Sequence, residues 1–136
     1  MTKMKWWLIL VGGFYLLLAG SSLWVLFVNP QLFGTRFPFA SNSQSIRASS
    51  DAWLIFVLEI GVLGVLILYA TRDPSHARVL LMVVSVLELI RGAGGDLLWT
   101  MRGWPTANYM PFMIVHLISG FTGLIFLRQK STSPAV

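Results

Sequence analysis

Four long apolar stretches dominate the pattern of hydrophobic and polar positions along this chain of 136 residues. They cover approximately residues 6–28, 52–71, 78–99 and 110–127. Each stretch approaches or exceeds the ~20 residues that a helix needs to cross a hydrocarbon core of ~30 Å. The pattern predicts an all-α integral membrane protein, with a single domain over residues 1–136 that folds as an antiparallel bundle of four transmembrane helices.

The residues between these stretches are typical of helix ends. Asn29-Pro30 closes the first predicted helix, because proline lacks the backbone donor that the next turn needs, and a polar loop over 29–51 follows. Ser75 is the candidate N-cap of the third helix. Pro111 is expected in the first turn of the fourth helix, where proline is tolerated.

The first stretch also resembles a secretory signal peptide, since Lys3 and Lys5 precede an apolar run that reaches Ala19-Gly20-Ser21. The run continues to Val28, however, and so exceeds the roughly 7–15 apolar residues of a signal core. We therefore expect an uncleaved first helix.

Composition and charge agree with a membrane location. Hydrophobic residues make up 56% of the chain and charged residues 11%, whereas soluble domains carry roughly 25% charged residues. The net charge of +5 is spread over helix ends, so the expected partner is the lipid bilayer and no nucleic acid. Lysine and arginine in the short flanks divide six to three: Lys3, Lys5, Arg72, Arg78, Arg128 and Lys130 against Arg36, Arg47 and Arg102. This bias predicts cytoplasmic N and C termini in a multi-pass protein of the bacterial inner membrane.

Aromatic residues flank the apolar stretches. Trp6 and Trp7 stand at the predicted cytoplasmic end, and the outer ends carry Trp53, Trp99, Trp104 and Tyr109. This arrangement is typical of the aromatic belts that anchor membrane proteins at the headgroup level.

Five ionisable residues interrupt the second, third and fourth stretches: Glu59, Glu88, Arg91, Asp96 and His116. A charge at the bilayer centre costs ~2.5–3.5 kcal/mol on insertion scales, so such residues usually face protein or water and often mark function. With a rise of ~1.5 Å per residue, all five fall in the outer half of the membrane, and all but Asp96 share one layer. The sequence therefore predicts a polar cluster inside the bundle.

The faces of the third and fourth predicted helices support this cluster. At about 100° per residue, one stripe of the third helix carries Ser85, Glu88, Arg91, Gly92, Gly95 and Trp99. Glu88 and Arg91 are three residues apart and are expected to form an ion pair.

Small residues accompany the charges on both helices. In the fourth predicted helix, His116 shares a face with Ser119, Gly120 and Gly123. Small residues mark close helix contacts in membranes. The glycines between Arg91 and Asp96 indicate close packing against the fourth helix. The alternative is an unwound segment that exposes its backbone to a ligand, as in broken-helix transporters.

Glu59 lies on nearly the opposite side of the second predicted helix from Gly61 and Gly64. If Glu59 faces the bundle, the glycines are left to contact another helix or subunit. If the glycines face the bundle, Glu59 needs a partner outside it. Both arrangements predict a contact beyond the core, such as a homodimer or a larger membrane complex.

The residue types argue against several catalytic and metal sites. The chain has no cysteine and one histidine within the apolar stretches, so neither a metal site nor a haem site is expected. It also lacks the Glu-x-x-His pairs of di-iron carboxylate proteins and the Gly-x-Ser-x-Gly of serine hydrolases. The residues favour a non-enzymatic protein.

Glu59, Glu88-x-x-Arg91, His116-x-x-x-Gly120 and the Arg102-Gly103 of the outer loop invite comparison with small bacterial membrane proteins. In length, four-helix layout and this loop, the chain resembles the DoxX-like group and also the BphX-like proteins. The DoxX-like resemblance implies a small subunit linked to quinone-dependent redox complexes. The BphX-like resemblance implies an association with aromatic-degradation gene clusters. Neither resemblance transfers a functional residue to this sequence.

We therefore predict a membrane accessory subunit, or a protein that binds a small hydrophobic molecule such as a quinone or an aromatic compound. The predicted ligand-binding residues are Glu59, Glu88, Arg91, Asp96, Trp99 and His116. A quinone is the one cofactor considered, and no metal is expected. Two alternatives stay open: an ion-pair network that only fixes helix register, and a proton-coupled transporter that uses Glu59 or Glu88.

Overall fold

The computed structural model describes residues 2–36 and 42–129, and within these ranges the chain is helical apart from short turns. The helices are α1 (Thr2–Val28), α2 (Pro30–Arg36), α3 (Ser43–Ala70), α4 (Pro74–Leu87), α5 (Gly94–Met101) and α6 (Thr106–Arg128), and a π-helical segment (Glu88–Ala93) joins α4 to α5. No strand occurs in these ranges, which confirms the all-α prediction.

Among the described residues, three helices are long and apolar enough to cross a membrane, namely Lys3–Val28, Ser43–Ala70 and Thr106–Arg128. Many of their large apolar side chains are exposed, including Leu17, Ile55 and Phe121. Lipid would cover these side chains. The predicted span over 78–99 lies within α4, the π-helical segment and α5, which follow one another without a break.

Helix α3 begins at Ser43 because Asn42 caps it, whereas the second helix was predicted to begin at residue 52. The Asn42 side-chain oxygen accepts the backbone N–H of Ser45 at 2.8 Å, and the Ser45 hydroxyl accepts the N–H of Asn42 at 3.2 Å. These reciprocal bonds satisfy donors that the first helical turn otherwise leaves open. With α2 also present, much of the described part of the predicted loop 29–51 is helical.

Two predicted helix starts shift in the same way. The Asp73 carbonyl accepts the Ala77 N–H at 3.1 Å and the helix starts at Pro74, so Asp73 rather than Ser75 occupies the N-cap position. Helix α6 starts at Thr106, which places Pro111 inside the helix and not in its first turn. The proline ring removes one backbone bond there.

Helix α5 ends in a Schellman motif that turns the chain toward α6. The Trp104 N–H donates to the Trp99 carbonyl at 3.2 Å, and the Gly103 N–H donates to the Thr100 carbonyl at 3.1 Å. Gly103 has φ = 85°, a left-handed conformation that glycine adopts without a Cβ penalty.

The chain divides into two compact units, Leu10–Tyr69 (the 10–69 unit) and Met1–Ile9 with Ala70–Val136 (the 70–136 unit). In the 10–69 unit, α1 packs closely on α3 through glycines. A Cβ on Gly64 would lie 3.0 Å from the Leu16 side chain and 3.1 Å from the Gly12 carbonyl, and one on Gly61 would contact Ala19. Of the two predicted arrangements, the structure therefore shows the one in which these glycines lie inside the fold. The single domain over 1–136 stays a prediction.

Candidate functional site

Glu88 and His116 meet in the 70–136 unit, one from the π-helical segment and the other from α6. His116 Nδ1 lies 2.8 Å from Glu88 Oε2, and Glu88 is 2% exposed. Since a carboxylate oxygen only accepts hydrogen bonds, Nδ1 is the donor. Such a charge-assisted bond is roughly twice as strong as a neutral one. The expectation that both side chains turn toward protein is confirmed.

Asp96 of α5 lies at the other nitrogen of the same imidazole. Its Oδ2 is 3.8 Å from His116 Nε2, within ion-pair distance but too long for a hydrogen bond. Asp96 is 9% exposed, and Oδ2 has no hydrogen-bond partner among the residues that the structure describes. Leaving a buried polar atom unpaired costs about 1–3 kcal/mol. The cluster therefore contains one buried carboxylate oxygen to which none of the described residues donates a hydrogen bond.

The π-helical segment explains how Glu88 and Asp96 reach the same ring. In an α-helix, residues eight apart are separated by about 80° around the axis, so the two carboxylates would diverge. A π turn bonds residue i to i+5 and takes up one extra residue. Glu88 and Asp96 are then oriented around the axis like two residues seven apart in an α-helix, and positions i and i+7 share a helix face. With α-helical geometry throughout, Asp96 falls outside the stripe that carries Glu88, so the sequence pattern did not predict this alignment.

Two glycines that were predicted on one stripe have different surroundings in the structure. A Cβ on Gly92 would overlap the His116 ring, so this glycine is what lets the imidazole lie against the π-helical segment. A Cβ on Gly95 would meet nothing within 4 Å. The segment is therefore neither a plain α-helix nor unwound: it stays helical, with a wider turn and one close contact at Gly92.

Glycines of α6 bring that helix close to α4. A Cβ on Gly120 would clash with the Leu89 side chain and lie 3.1 Å from the Ser85 carbonyl. A Cβ on Gly123 would overlap the Ser85 hydroxyl. The predicted small-residue face of the fourth helix is confirmed, and it sets the helix separation at which Glu88 reaches His116.

Trp7 supports the same face of α6 from the start of α1. Its indole N–H donates to Thr122 Oγ1 at 3.0 Å and to the Ser119 carbonyl at 3.2 Å, and the residue is 6% exposed. The prediction that Trp7 is an interfacial anchor is therefore wrong, because its polar edge is satisfied inside the protein. Trp6, by contrast, is exposed.

The other predicted site residues lie elsewhere or have different neighbours. Glu59 belongs to the 10–69 unit and is exposed on α3. Arg91 is half-buried in the π-helical segment, and its ion pair with Glu88 stays a prediction. Trp99 packs against Tyr109 and Trp104, with ring centroids 5.1 and 6.4 Å away. The cluster that the structure assembles is therefore Glu88, Asp96 and His116.

Comparison with known proteins gives the chain a family. Two uncharacterized BphX-like proteins, from Burkholderia cepacia and from Paraburkholderia xenovorans strain LB400, are each 29% identical to it over 96 residues. That region is 68% of this chain and 67% of each relative. No solved structure matches the chain. The family model for BphX-like proteins matches residues 1–131, and the chain therefore belongs to the BphX-like family.

Proposed function

We propose that this protein binds the polar head of a small hydrophobic molecule, such as a quinone or an aromatic compound, at Glu88, Asp96 and His116. The observation that carries the proposal is the buried Asp96 Oδ2, which lacks a hydrogen-bond partner in the described part of the chain. Buried polar atoms are nearly always paired, so an unpaired one calls for an explanation. A ligand head group at this oxygen is that explanation here.

The surroundings of the cluster suit an amphipathic ligand. The His116 side chain is 17% exposed and that of Asp96 is 11%, so the cluster lies near the protein surface rather than at its centre. Trp99 follows Asp96 by three residues on α5, a spacing that makes them neighbours on the helix surface. A few polar groups beside apolar and aromatic walls are typical of small-molecule sites.

The proposal includes a four-span topology. The continuous helical path from 74 to 101 is about 40 Å long at ~1.5 Å per residue, which suffices for a fourth crossing. With the six-to-three bias of flanking basic residues, both termini would lie in the cytoplasm of a bacterium and the protein in its inner membrane.

Single cysteines test this topology cleanly, since the chain contains none. Gln44 and Gln129 are both exposed and lie on opposite predicted sides. We expect Gln44→Cys to react with a membrane-impermeant maleimide in spheroplasts, and Gln129→Cys to react only after permeabilisation. Equal labelling of both variants in intact spheroplasts would contradict the four-span topology.

An inventory of co-purifying molecules tests the binding function. We would purify the protein in nanodiscs and identify extracted small molecules and associated proteins by mass spectrometry. A compound retained by the unaltered protein should be lost from His116→Gln and kept by Asp51→Asn, which removes an exposed carboxylate outside the cluster. Identical inventories for all three proteins would count against the site. Co-purification of a larger complex without a small molecule would favour the accessory-subunit role that the DoxX-like resemblance implies.

A proton-coupled transporter is the second candidate, and one observation favours it. Each nitrogen of His116 faces a carboxylate, Nδ1 at 2.8 Å and Nε2 at 3.8 Å, so a proton could pass from one side of the ring to the other. In proteoliposomes loaded with a pH dye, adding a transported compound should change the internal pH, and Glu88→Gln should abolish the change. Glu59→Gln tests the other predicted proton site, and a signal that both variants leave intact would reject this candidate.

A further inference from the structure

The unpaired oxygen of Asp96 restricts the chemistry of anything that binds there. An ionised carboxylate has no hydrogen to donate, so only a hydrogen-bond donor can satisfy Oδ2. Thr100 does not supply one to this oxygen, because its hydroxyl donates to the Asp96 backbone carbonyl at 2.9 Å. A bound molecule that carries a hydrogen-bond donor would satisfy this oxygen.

Glu88 determines what His116 offers to the same molecule. Because Nδ1 donates to Glu88, Nε2 is the nitrogen that faces Asp96. In the imidazolium form Nε2 carries a hydrogen, but at 3.8 Å it does not reach Oδ2, since N–H···O bonds are about 2.7–3.2 Å long. In the imidazolium form, therefore, the gap between the two atoms has a donor, Nε2–H, on one side and an acceptor, Oδ2, on the other.

We infer that the site selects a hydroxyl head group, as in a phenol or a quinol, over the corresponding ether or carbonyl. The hydroxyl oxygen accepts a hydrogen bond from His116 Nε2–H, and the hydroxyl donates a hydrogen bond to Asp96 Oδ2. An ether or a carbonyl accepts the first bond but leaves Oδ2 unpaired. The inference rests on the proposed function and adds the chemical class of the ligand head.

The distances are compatible with such a bridge after a small rearrangement. Two hydrogen bonds of about 2.8 Å that meet at a tetrahedral oxygen span about 4.6 Å, against the 3.8 Å between Nε2 and Oδ2. The ligand therefore has to part the two side chains by less than 1 Å, and Oδ2, with under 1 Å² exposed, becomes reachable only then. Side-chain adjustments of this size are common on binding.

Two probes that differ only in the donor test the inference on the unaltered protein. We would titrate 4-tert-butylphenol and its methyl ether, 4-tert-butylanisole, into the full-length protein in nanodiscs, follow heat release, and subtract empty nanodiscs. We expect the phenol to bind at least about tenfold more tightly, because a hydrogen bond to a charged group is lost in the ether and a buried acceptor is left unpaired.

A variant then assigns the preference to Asp96. Asp96→Asn keeps the size of the side chain but supplies an amide N–H that can donate to an ether oxygen. We expect the ratio of the two dissociation constants, anisole over phenol, to fall close to one in this variant and to stay unchanged in Asp51→Asn. If the variant fails to fold, the comparison of the two probes on the unaltered protein still decides.

The outcomes separate this inference from the proposed function. Equal binding of both probes, abolished by His116→Gln, would leave the binding function standing and overturn the hydroxyl selectivity. A preference for the phenol that Asp96→Asn leaves unchanged would also overturn it, since the selectivity would then come from elsewhere. Absence of binding above empty nanodiscs for both probes would reject the inference and the proposed site together.

Discussion

Deletion of Ile90 probes the π-helical segment, where one extra residue aligns Asp96 with Glu88. Ile90 lies inside Glu88–Ala93 and is 71% exposed. Without it the segment can close to an ordinary α turn while the residues on either side keep their positions. Because the lost side chain is mostly exposed, we expect the free energy of unfolding to change by no more than about 1 kcal/mol.

Deletion of Val83 is the matched control, since it removes a 39% exposed apolar residue from the regular part of the same path. The residues that follow are rotated by about 100° relative to those before. This rotation displaces Ser85 and Glu88, which are 0% and 2% exposed. Separating a buried charge from its partner costs about 3–5 kcal/mol, so the control should lose most of its folded population.

Two measurements distinguish these outcomes. Thermal unfolding in nanodiscs, followed by intrinsic tryptophan fluorescence, compares the stability of both deletions with the unaltered protein. Nitrogen-15 NMR of the imidazole, assigned with His116→Gln, reports whether Nδ1 still donates to Glu88. If deletion of Ile90 destabilises the protein as much as deletion of Val83, or if it removes the Nδ1 hydrogen bond, an extra residue in the π turn is not what aligns Asp96 with Glu88.

Four further substitutions are tested by the same thermal measurement. Gly92→Ala should destabilise the protein by about 1–3 kcal/mol because the added Cβ overlaps the His116 ring. Gly95→Ala adds its Cβ in open space and should be neutral or stabilising by up to about 1 kcal/mol. Equal effects of the two substitutions would contradict this placement of the two glycines. Trp7→Phe removes the indole N–H that donates to α6 and should cost about 1 kcal/mol, and an unchanged stability would show that these bonds contribute nothing net. Gly103→Ala should cost about 1 kcal/mol because a Cβ is strained at φ = 85°, and a stabilised variant would rule out the left-handed turn.

The apolar periodicity predicted the helices well and their ends poorly. Length and hydropathy are properties of neighbouring residues, so the long helices containing Glu59 and His116 were recognisable. Their ends depend on single capping contacts, such as the bonds between Asn42 and Ser45, which a hydropathy pattern does not register. The N-cap at Asp73 was misplaced by two residues for the same reason.

The meeting of Glu88 with His116 and the close packing at Gly120 followed from local rules, since polar and small residues in apolar helices turn toward protein. The position of Asp96 did not follow from them. It depends on where a helix path widens to a π turn, and that choice is made by contacts between residues far apart in the chain, such as Gly92 with His116. The amino-acid pattern alone thus established the helices and the residue types available for a polar site. Which of those residues share one imidazole was settled by how α6 packs against the π-helical segment. The rotation of a helix about its own axis is determined by the helix it packs against, and the pattern along one helix does not contain that information.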